Sequence, residues 1–333
     1  MTTSMTTIGP LVVHHTGFQH IDGIAVGSEV TAVATSSLTG DLWNGTILLM
    51  RNQKLASADG VQQPVCALQT AQGNAGVAWV SDDILASGDD SGDVALWQIA
   101  ADKTAAKPLL RFGEHTQPIT CMVAGPQDGS RLASTSLDGT AKVWQASIAG
   151  GNVATFEHLS KHAWCDVQVH GATWLGGTAQ QTLATVASDG VLRLWDVRRA
   201  PPSADRFAMH SAPLLTVATG AADCQLLAGS ECGAVFLADA RRLDAPVATM
   251  QVSTTSAVCS LAPSGHGSYN AAVGTEDGGI VHLDARDLKL LSRATMHQGR
   301  VGALAWLSHT SDGGELLSGG WDKQLVRHSV ASA

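Results

Sequence analysis

LATVASDGVLRLWDV, residues 183–197, decides the fold. An apolar run ends at Ala187-Ser188-Asp189-Gly190, and Val191-Leu192-Arg193-Leu194-Trp195 then alternates. Glycine after aspartate supplies the positive φ that a tight hairpin turn needs. Strict alternation marks a strand with one buried face. The unit therefore reads as strand, tight turn, strand. It recurs as ATSSLTGDLWNGTILLM (34–50), LASGDDSGDVALWQI (85–99), LASTSLDGTAKVWQA (132–146), LLAGSECGAVFLADA (226–240), AAVGTEDGGIVHLDA (271–285) and LLSGGWDKQLVRHSV (316–330). The glycines fall at 45, 92, 139, 190, 233 and 278, with Lys323 in the seventh slot, at steps of 47, 47, 51, 43, 45 and 45 residues. A further apolar run precedes each unit, as in Gly76-Val77-Ala78-Trp79-Val80.

A repeat near 45 residues whose strand ends in Trp-Asp resembles the WD-repeat family, over nearly the whole chain. The resemblance implies an all-β, seven-bladed propeller closed by an N-terminal strand. A single body is expected over residues 11–333, with 1–10 as a flexible N-terminus. The last copy ends close to Ala333. Its outer strand is therefore expected from the other terminus, over Leu11 to His14, so that no sheet edge is left open.

Composition narrows the function classes. Hydrophobic residues make up 44% and charged residues 15%, which suits a packed domain. The formal net charge of −9 argues against a general nucleic-acid binder, which needs a basic stripe. Six cysteines show neither C-x-x-C nor zinc spacing, and read as reduced thiols of a cytoplasmic or nuclear protein. No secretory leader and no apolar window long enough for a membrane span is visible. Asn44-Gly45-Thr46 matches a glycosylation sequon, expected to be silent in that compartment. No Gly-rich phosphate loop or G-x-S-x-G elbow is present, and no cofactor, metal or enzymatic activity is expected.

His115, Ser134 and Asp138 invite a hydrolase reading. Recurrence argues otherwise, because an active site is needed once. In the WD-repeat pattern, His115, Ser134, Asp138 and Trp144 form a buried relay within blade 3, and His162, Thr185, Asp189 and Trp195 one within blade 4. Blade 7 keeps His297, Ser318 and Asp322 but has His328 in the tryptophan slot. Blade 5 keeps His210 but has Cys232 for aspartate, and blades 1, 2 and 6 depart further.

Nine tryptophans against one tyrosine can be sorted. Trp97, Trp144 and Trp195 end third strands. Trp79, Trp174 and Trp306 sit in first strands and are expected between blades. Trp43 lies in a first-blade loop about four residues longer than its counterparts. Trp321 lies in the matching turn of blade 7, and Trp164 is expected at the start of a first strand. These three are partner-binding candidates, since tryptophan is enriched at binding hot spots. Turn residues Asp89, Asp90, Glu231, Glu276 and Asp277 suggest an acidic surface, either solvated or attracting basic segments.

The segments SSLTGDLWNGTILLM, AWVSDDILASGDDSGDVALW and LLSGGWDKQLVRHSV resemble the methylosome protein 50 family, the WD-repeat partner of the type II protein arginine methyltransferase. That resemblance implies a hetero-oligomer in which the first-blade loop, Leu42, Trp43 and Asn44, meets the enzyme. It also implies presentation of arginine-rich substrates, histone tails and Sm proteins, for symmetric dimethylation, without direct nucleic-acid or membrane contact. Loops such as Lys161-His162-Ala163-Trp164 and Ser264-Gly265-His266-Gly267 depart from that family, which leaves substrate choice open. Two rivals stand beside it. Trp195-Asp196-Val197-Arg198 matches the W-D-x-R ending of cullin-type ubiquitin ligase receptors, and a generic assembly scaffold fits the repeats equally.

Overall fold

The computed structural model describes residues 5–11, 20–39, 42–56, 62–125, 131–149, 152–164, 167–176, 181–198, 204–220, 222–242, 244–264, 269–310 and 313–331. The chain starts with β1 (Met5–Leu11), then completes blade after blade. Blade 1 is β2 (His20–Val26), β3 (Val30–Thr39), β4 (Leu42–Arg51) and β5 (Cys66–Thr70), with α1 (Asn52–Ala56) after β4. Blade 2 is β6 (Asn74–Ser81), β7 (Ile84–Asp89), β8 (Asp93–Ile99) and β9 (Ala106–Gly113). Blade 3 is β10 (Ile119–Ala124), β11 (Arg131–Ser136), β12 (Thr140–Ala149) and β13 (Asn152–Trp164). Blade 4 is β14 (Val169–Trp174), β15 (Thr182–Ala187), β16 (Val191–Asp196) and β17 (Ala204–Ala208). Blade 5 is β18 (Leu214–Thr219), β19 (Gln225–Ser230), β20 (Ala234–Asp239) and β21 (Ala248–Gln251). Blade 6 is β22 (Val258–Pro263), β23 (Asn270–Thr275), β24 (Gly279–Asp284) and β25 (Lys289–Thr295). Blade 7 is β26 (Val301–Thr310), β27 (Gly313–Gly320) and β28 (Leu325–Ala331), with β1 as its outer strand.

Each blade is an antiparallel four-stranded sheet, and the first strand of each touches the next around a ring that closes from β26 to β2. The tight turns follow the glycine pattern. Gly92, Gly139, Gly190, Gly233 and Gly278 have φ between 73° and 89°, and Lys323 takes the same conformation at 69°. First-strand tryptophans pin neighbouring blades. Trp79 Nε1–H donates to the Ala25 carbonyl (3.0 Å), Trp174 to Val123 (3.3 Å) and Trp306 to Ala262 (2.9 Å).

Ring closure differs from expectation in two ways. The closing strand is Met5–Leu11, paired from Met5↔Val330 to Leu11↔Leu325, and not Leu11–His14. It takes most of the residues assigned to a flexible N-terminus. Residues 12–14 lie outside the described set. Pro10 falls in the outermost strand, the place in a sheet where proline is found. The second device is α1. Leu55, fully buried, packs with Leu317 and Leu325 of blade 7, and its carbonyl accepts from Arg327 Nη1 (3.0 Å). A five-residue helix cannot hold itself and depends on this packing.

Blade 1 departs from the others at its β3–β4 hairpin. Gly45 is not in the turn but inside β4, opposite Ser36. Three further pairs follow: Ser37↔Asn44, Leu38↔Trp43 and Thr39↔Leu42. At ~3.4 Å per residue the hairpin extends ~10 Å further than a blade of ordinary length.

Candidate functional site

Polar side chains gather where second strands turn into third strands and fourth strands enter first strands, on one face of the ring. In blade 3 they turn inward. Asp138 can only accept, so His115 carries its proton on Nδ1 and donates to Asp138 Oδ2 (3.1 Å). His115 Nε2 then accepts from Ser134 Oγ (2.8 Å), and that oxygen accepts from Trp144 Nε1–H (3.0 Å). Ser134 is fully buried and His115 nearly so, which keeps the serine from any substrate. Burial pushes the Asp138 carboxyl up, but hydrogen bonds from Thr140 and Thr116 and the nearby His115 outweigh it and hold it below the ordinary value.

Blade 7 repeats the start of this chain. His297 bonds Asp322 Oδ1 (2.9 Å) and Ser318 Oγ (2.8 Å), and His328 Nε2 replaces the indole at 2.7 Å from Ser318. Blade 2 keeps the serine–tryptophan bond, Trp97 Nε1–H to Ser87 Oγ (2.9 Å), without the histidine. Blade 4 differs from expectation. Trp195 Nε1–H donates to Thr185 Oγ1 (2.9 Å), but the Asp189 carboxylate is held by Arg193. His162 lies within β13 opposite Ala141, and its side chain is outside the described set. The predicted four-membered relay of blade 4 is thus reduced, among described side chains, to its threonine–tryptophan half. In blade 5, Cys232 Sγ lies 3.9 Å from both His210 ring nitrogens.

Around the channel mouth a different cluster forms. The seven first strands enclose a cavity of about 500 Å³. Trp321 sits at its edge, 45% exposed. Its Nε1–H donates to Asp22 Oδ1 (2.9 Å), and its carbonyl lies 2.8 Å from His20 Nδ1. The His20 and Trp321 rings are 5.1 Å apart, and the Arg300 guanidinium lies 5.3 Å from the indole centroid. Burial raises the Asp22 carboxyl against the pull of Ser36, Trp321, His20 and Arg300. His20, Asp22 and Arg300 carry no motif. Trp321 and His20 are 301 residues apart in sequence, so only ring closure brings them together.

The remaining candidates separate. Asp89 is 7% exposed; its carboxylate accepts from Ser91 and the Asp93 N–H, and pairs with Arg111 (3.0 Å). It is a turn anchor, not an open acidic residue. Asp90 is half-buried and lines the cavity, while Glu231, Glu276 and Asp277 are exposed. Trp164 ends β13, the outer strand of blade 3, opposite Thr140, and does not start a first strand. Leu42 and Trp43 occupy the tip of the extended hairpin, with their side chains outside the described set. Asn44 is exposed, and its Oδ1 accepts from Ser37 Oγ. Among described residues no group of three or more His, Cys, Asp or Glu could hold a metal ion.

Comparison with known proteins matches residues 106–145 to the family described as WD domain, G-beta repeat. Those residues run from β9, the outer strand of blade 2, into blade 3 as far as Gln145, and hold the complete His–Asp–Ser–Trp chain. The chain is a seven-bladed WD-repeat propeller. It is similar to methylosome protein WDR77 of Xenopus laevis, 26% identical over 304 residues, covering 90% of this chain and 86% of that protein. It is also similar to a ribosome biogenesis protein WDR12 homolog of Chlamydomonas reinhardtii, 28% identical over 90% of this chain and 71% of that protein. Villidin of Dictyostelium discoideum is 24% identical over 42% of the chain and 8% of its own length. The propeller therefore offers a rigid scaffold whose irregular parts, the blade 1 hairpin and the Trp321 edge, are where specificity can reside.

Proposed function

We propose that this propeller is a non-catalytic adaptor in the cytoplasm and nucleus that docks on a type II protein arginine methyltransferase. It helps present arginine-rich proteins, such as histone tails and Sm proteins, for symmetric dimethylation. The observation that carries the reading is the blade 1 hairpin. Packing inside the ring does not require its three added strand pairs, and they place Leu42 and Trp43 at its tip. Similarity over 90% of the chain to a protein named for the methylosome supports the same partner. The exposed Glu231, Glu276 and Asp277 supply the sign of charge that would attract basic tails. The adaptor would act by raising local substrate concentration and would contribute no group to methyl transfer.

Affinity purification of the tagged chain tests this. Stoichiometric recovery of an arginine methyltransferase is expected; recovery of a ubiquitin-ligase adaptor in its place would overturn the reading. Trp43→Ala should reduce that recovery with little change in Tm, because Trp43 lies in the three strand pairs added beyond the Ser36↔Gly45 pair. A large fall in Tm would assign Trp43 to packing. Tail binding should weaken with salt, as expected for exposed charges.

A further inference from the structure

The opposite face of the propeller carries a feature that the adaptor reading does not use. Where third strands turn into fourth strands, blades 4, 5 and 6 repeat one motif: Asp196-Val197-Arg198, Asp239-Ala240-Arg241 and Asp284-Ala285-Arg286. In each, Asp Oδ1 accepts from the backbone N–H of the arginine two residues on (3.0 Å), and its Oδ2 pairs with Nη2 at 2.7, 2.6 and 2.5 Å respectively. Nε donates as well, at 2.9, 2.9 and 3.0 Å. The carboxylates lie underneath, with side chains 20%, 16% and 14% exposed, while the guanidinium groups stand out at 69%, 73% and 58%. An arginine clamped through Nε and one Nη2 hydrogen keeps three N–H donors for a partner. Being fixed beforehand, it loses less entropy on binding than a free side chain.

A second observation falls on the same face. The exposed large hydrophobic residues among those described are Leu110, Val247, Tyr269, Leu290 and Trp321. Three of the five belong to this one face of two adjacent blades. Val247 precedes β21, Tyr269 precedes β23, and Leu290 is the second residue of β25. Tyr269 stacks on Arg286, whose Cζ is 4.3 Å from the ring centroid. Tyrosine and arginine are the residue types enriched at protein interfaces, with charged groups around an apolar centre. Scattered exposed apolar residues need no explanation, but each of these three flanks a clamped arginine's turn: the Val247 N–H donates to the Leu237 carbonyl, the Tyr269 carbonyl accepts from the Ala285 N–H, and Leu290 pairs with Leu283.

We infer that this face of blades 5 and 6 is a second docking surface, taking an acidic, apolar-interleaved segment of a partner protein. Its carboxylates would meet the outward N–H groups of Arg241 and Arg286, and its apolar side chains would cover Val247, Tyr269 and Leu290. Because this patch and the channel mouth lie on opposite faces, occupation of one leaves the other open. The chain could thus hold a basic and an acidic partner at once.

The probe is a fluorescein-labelled peptide of alternating Glu and Leu, titrated with the full chain by fluorescence anisotropy. Arg241→Ala/Tyr269→Ala/Arg286→Ala should weaken binding about tenfold or more, with Arg300→Ala on the channel face leaving it unchanged. Should the triple variant unfold, Val247→Ser/Leu290→Ser tests the same face through exposed positions, with about a threefold loss expected. Unchanged affinity in the folded variants would overturn the inference. So would equally tight, equally sensitive binding of labelled poly-uridine, which would make the patch a general polyanion site. A dimer in light scattering that the triple variant abolishes would also overturn it, assigning the face to a second copy of the chain. Failure here leaves the methyltransferase reading intact, since Trp43 is not part of this face.

Discussion

Blade 3 and blade 7 begin the same polar chain and end it differently. Both run from aspartate through histidine to a buried serine. Blade 3 ends on Trp144, whose indole has one donor and a large apolar body, so every polar atom it brings is used. Blade 7 ends on His328. Its Nε2–H serves Ser318, but Nδ1 is buried with no hydrogen-bond partner. Blade 7 takes β1 along β28 as its outer strand, and α1 of blade 1 packs against its Leu317 and Leu325. The tryptophan slot therefore asks for two things, an N–H donor and packed volume. Imidazole supplies the first and less of the second.

The largest test removes the volume. Trp144 packs against Leu96, Ile119 and Leu132 and is 1% exposed. Trp144→Ala should cost about 3–5 kcal/mol through lost burial and the cavity left behind. His328→Ala should cost about half as much or less, since a smaller ring leaves and an orphaned nitrogen leaves with it. Urea denaturation of the two variants measures both. Equal losses would mean that donor chemistry, not packing, carries the slot.

Acidity separates the blades next. Burial pushes His328 down to about 4 from an ordinary 6.5, with the neighbouring His297 acting in the same direction. The folded state thus favours neutral imidazole. The stability this represents is fully present above the unfolded value of 6.5 and is lost as pH falls towards 4, when protonation puts an unpaired Nδ1–H in the core. The shift corresponds to about 3 kcal/mol. His282 in blade 6 is likewise pushed to about 4 by burial and adds to the same acid limb. His328→Phe removes the group that titrates, so its stability relative to the native chain should rise by about 3 kcal/mol between pH 7.5 and pH 4, on top of a constant offset from the lost Ser318 hydrogen bond. Parallel pH profiles for the two chains would contradict the assignment of the acid limb to blade 7.

What can be read in the sequence follows the same division. Repeated local chemistry is legible: the turn positions hold in blades 2 to 7, even where Lys323 replaces glycine, because the hairpin geometry is local. The blade 3 relay is legible because its members recur at fixed offsets. Features fixed by distant partners are not. The segment Met5–Leu11 has no clean alternation, and its strand character comes from β28. Trp164 reads as a first-strand residue in sequence because the 51-residue step between Gly139 and Gly190 hides a β13 of 13 residues. Asp89 reads as an open turn acid, and only the fold shows Arg111, 22 residues on, closing over it. Of the candidate site, the tryptophans are visible as residues, but their partners His20, Asp22 and Arg300 are not.

Blade 5 gives the smallest and sharpest test of whether relay members have value singly. Cys232 holds the aspartate slot beside His210, while Ala228 and Ala238 hold the serine and tryptophan slots. His210 Nδ1 already accepts from the Ala212 N–H (2.9 Å), so it carries no proton there to give a carboxylate. Cys232→Asp would restore the family residue but not the chain. A new bond from His210 to the introduced carboxylate would have to displace the backbone bond, and no serine waits to take Nε2. Cys232 is partly buried against the blade 4–5 core, so the substitution should leave stability unchanged or lower it by up to about 1 kcal/mol. A gain above about 1 kcal/mol in thermal or urea unfolding would show that the histidine–aspartate pair stabilises a blade by itself. Blade 3 would then owe its strength to that pair rather than to the unbroken run from Asp138 to Trp144.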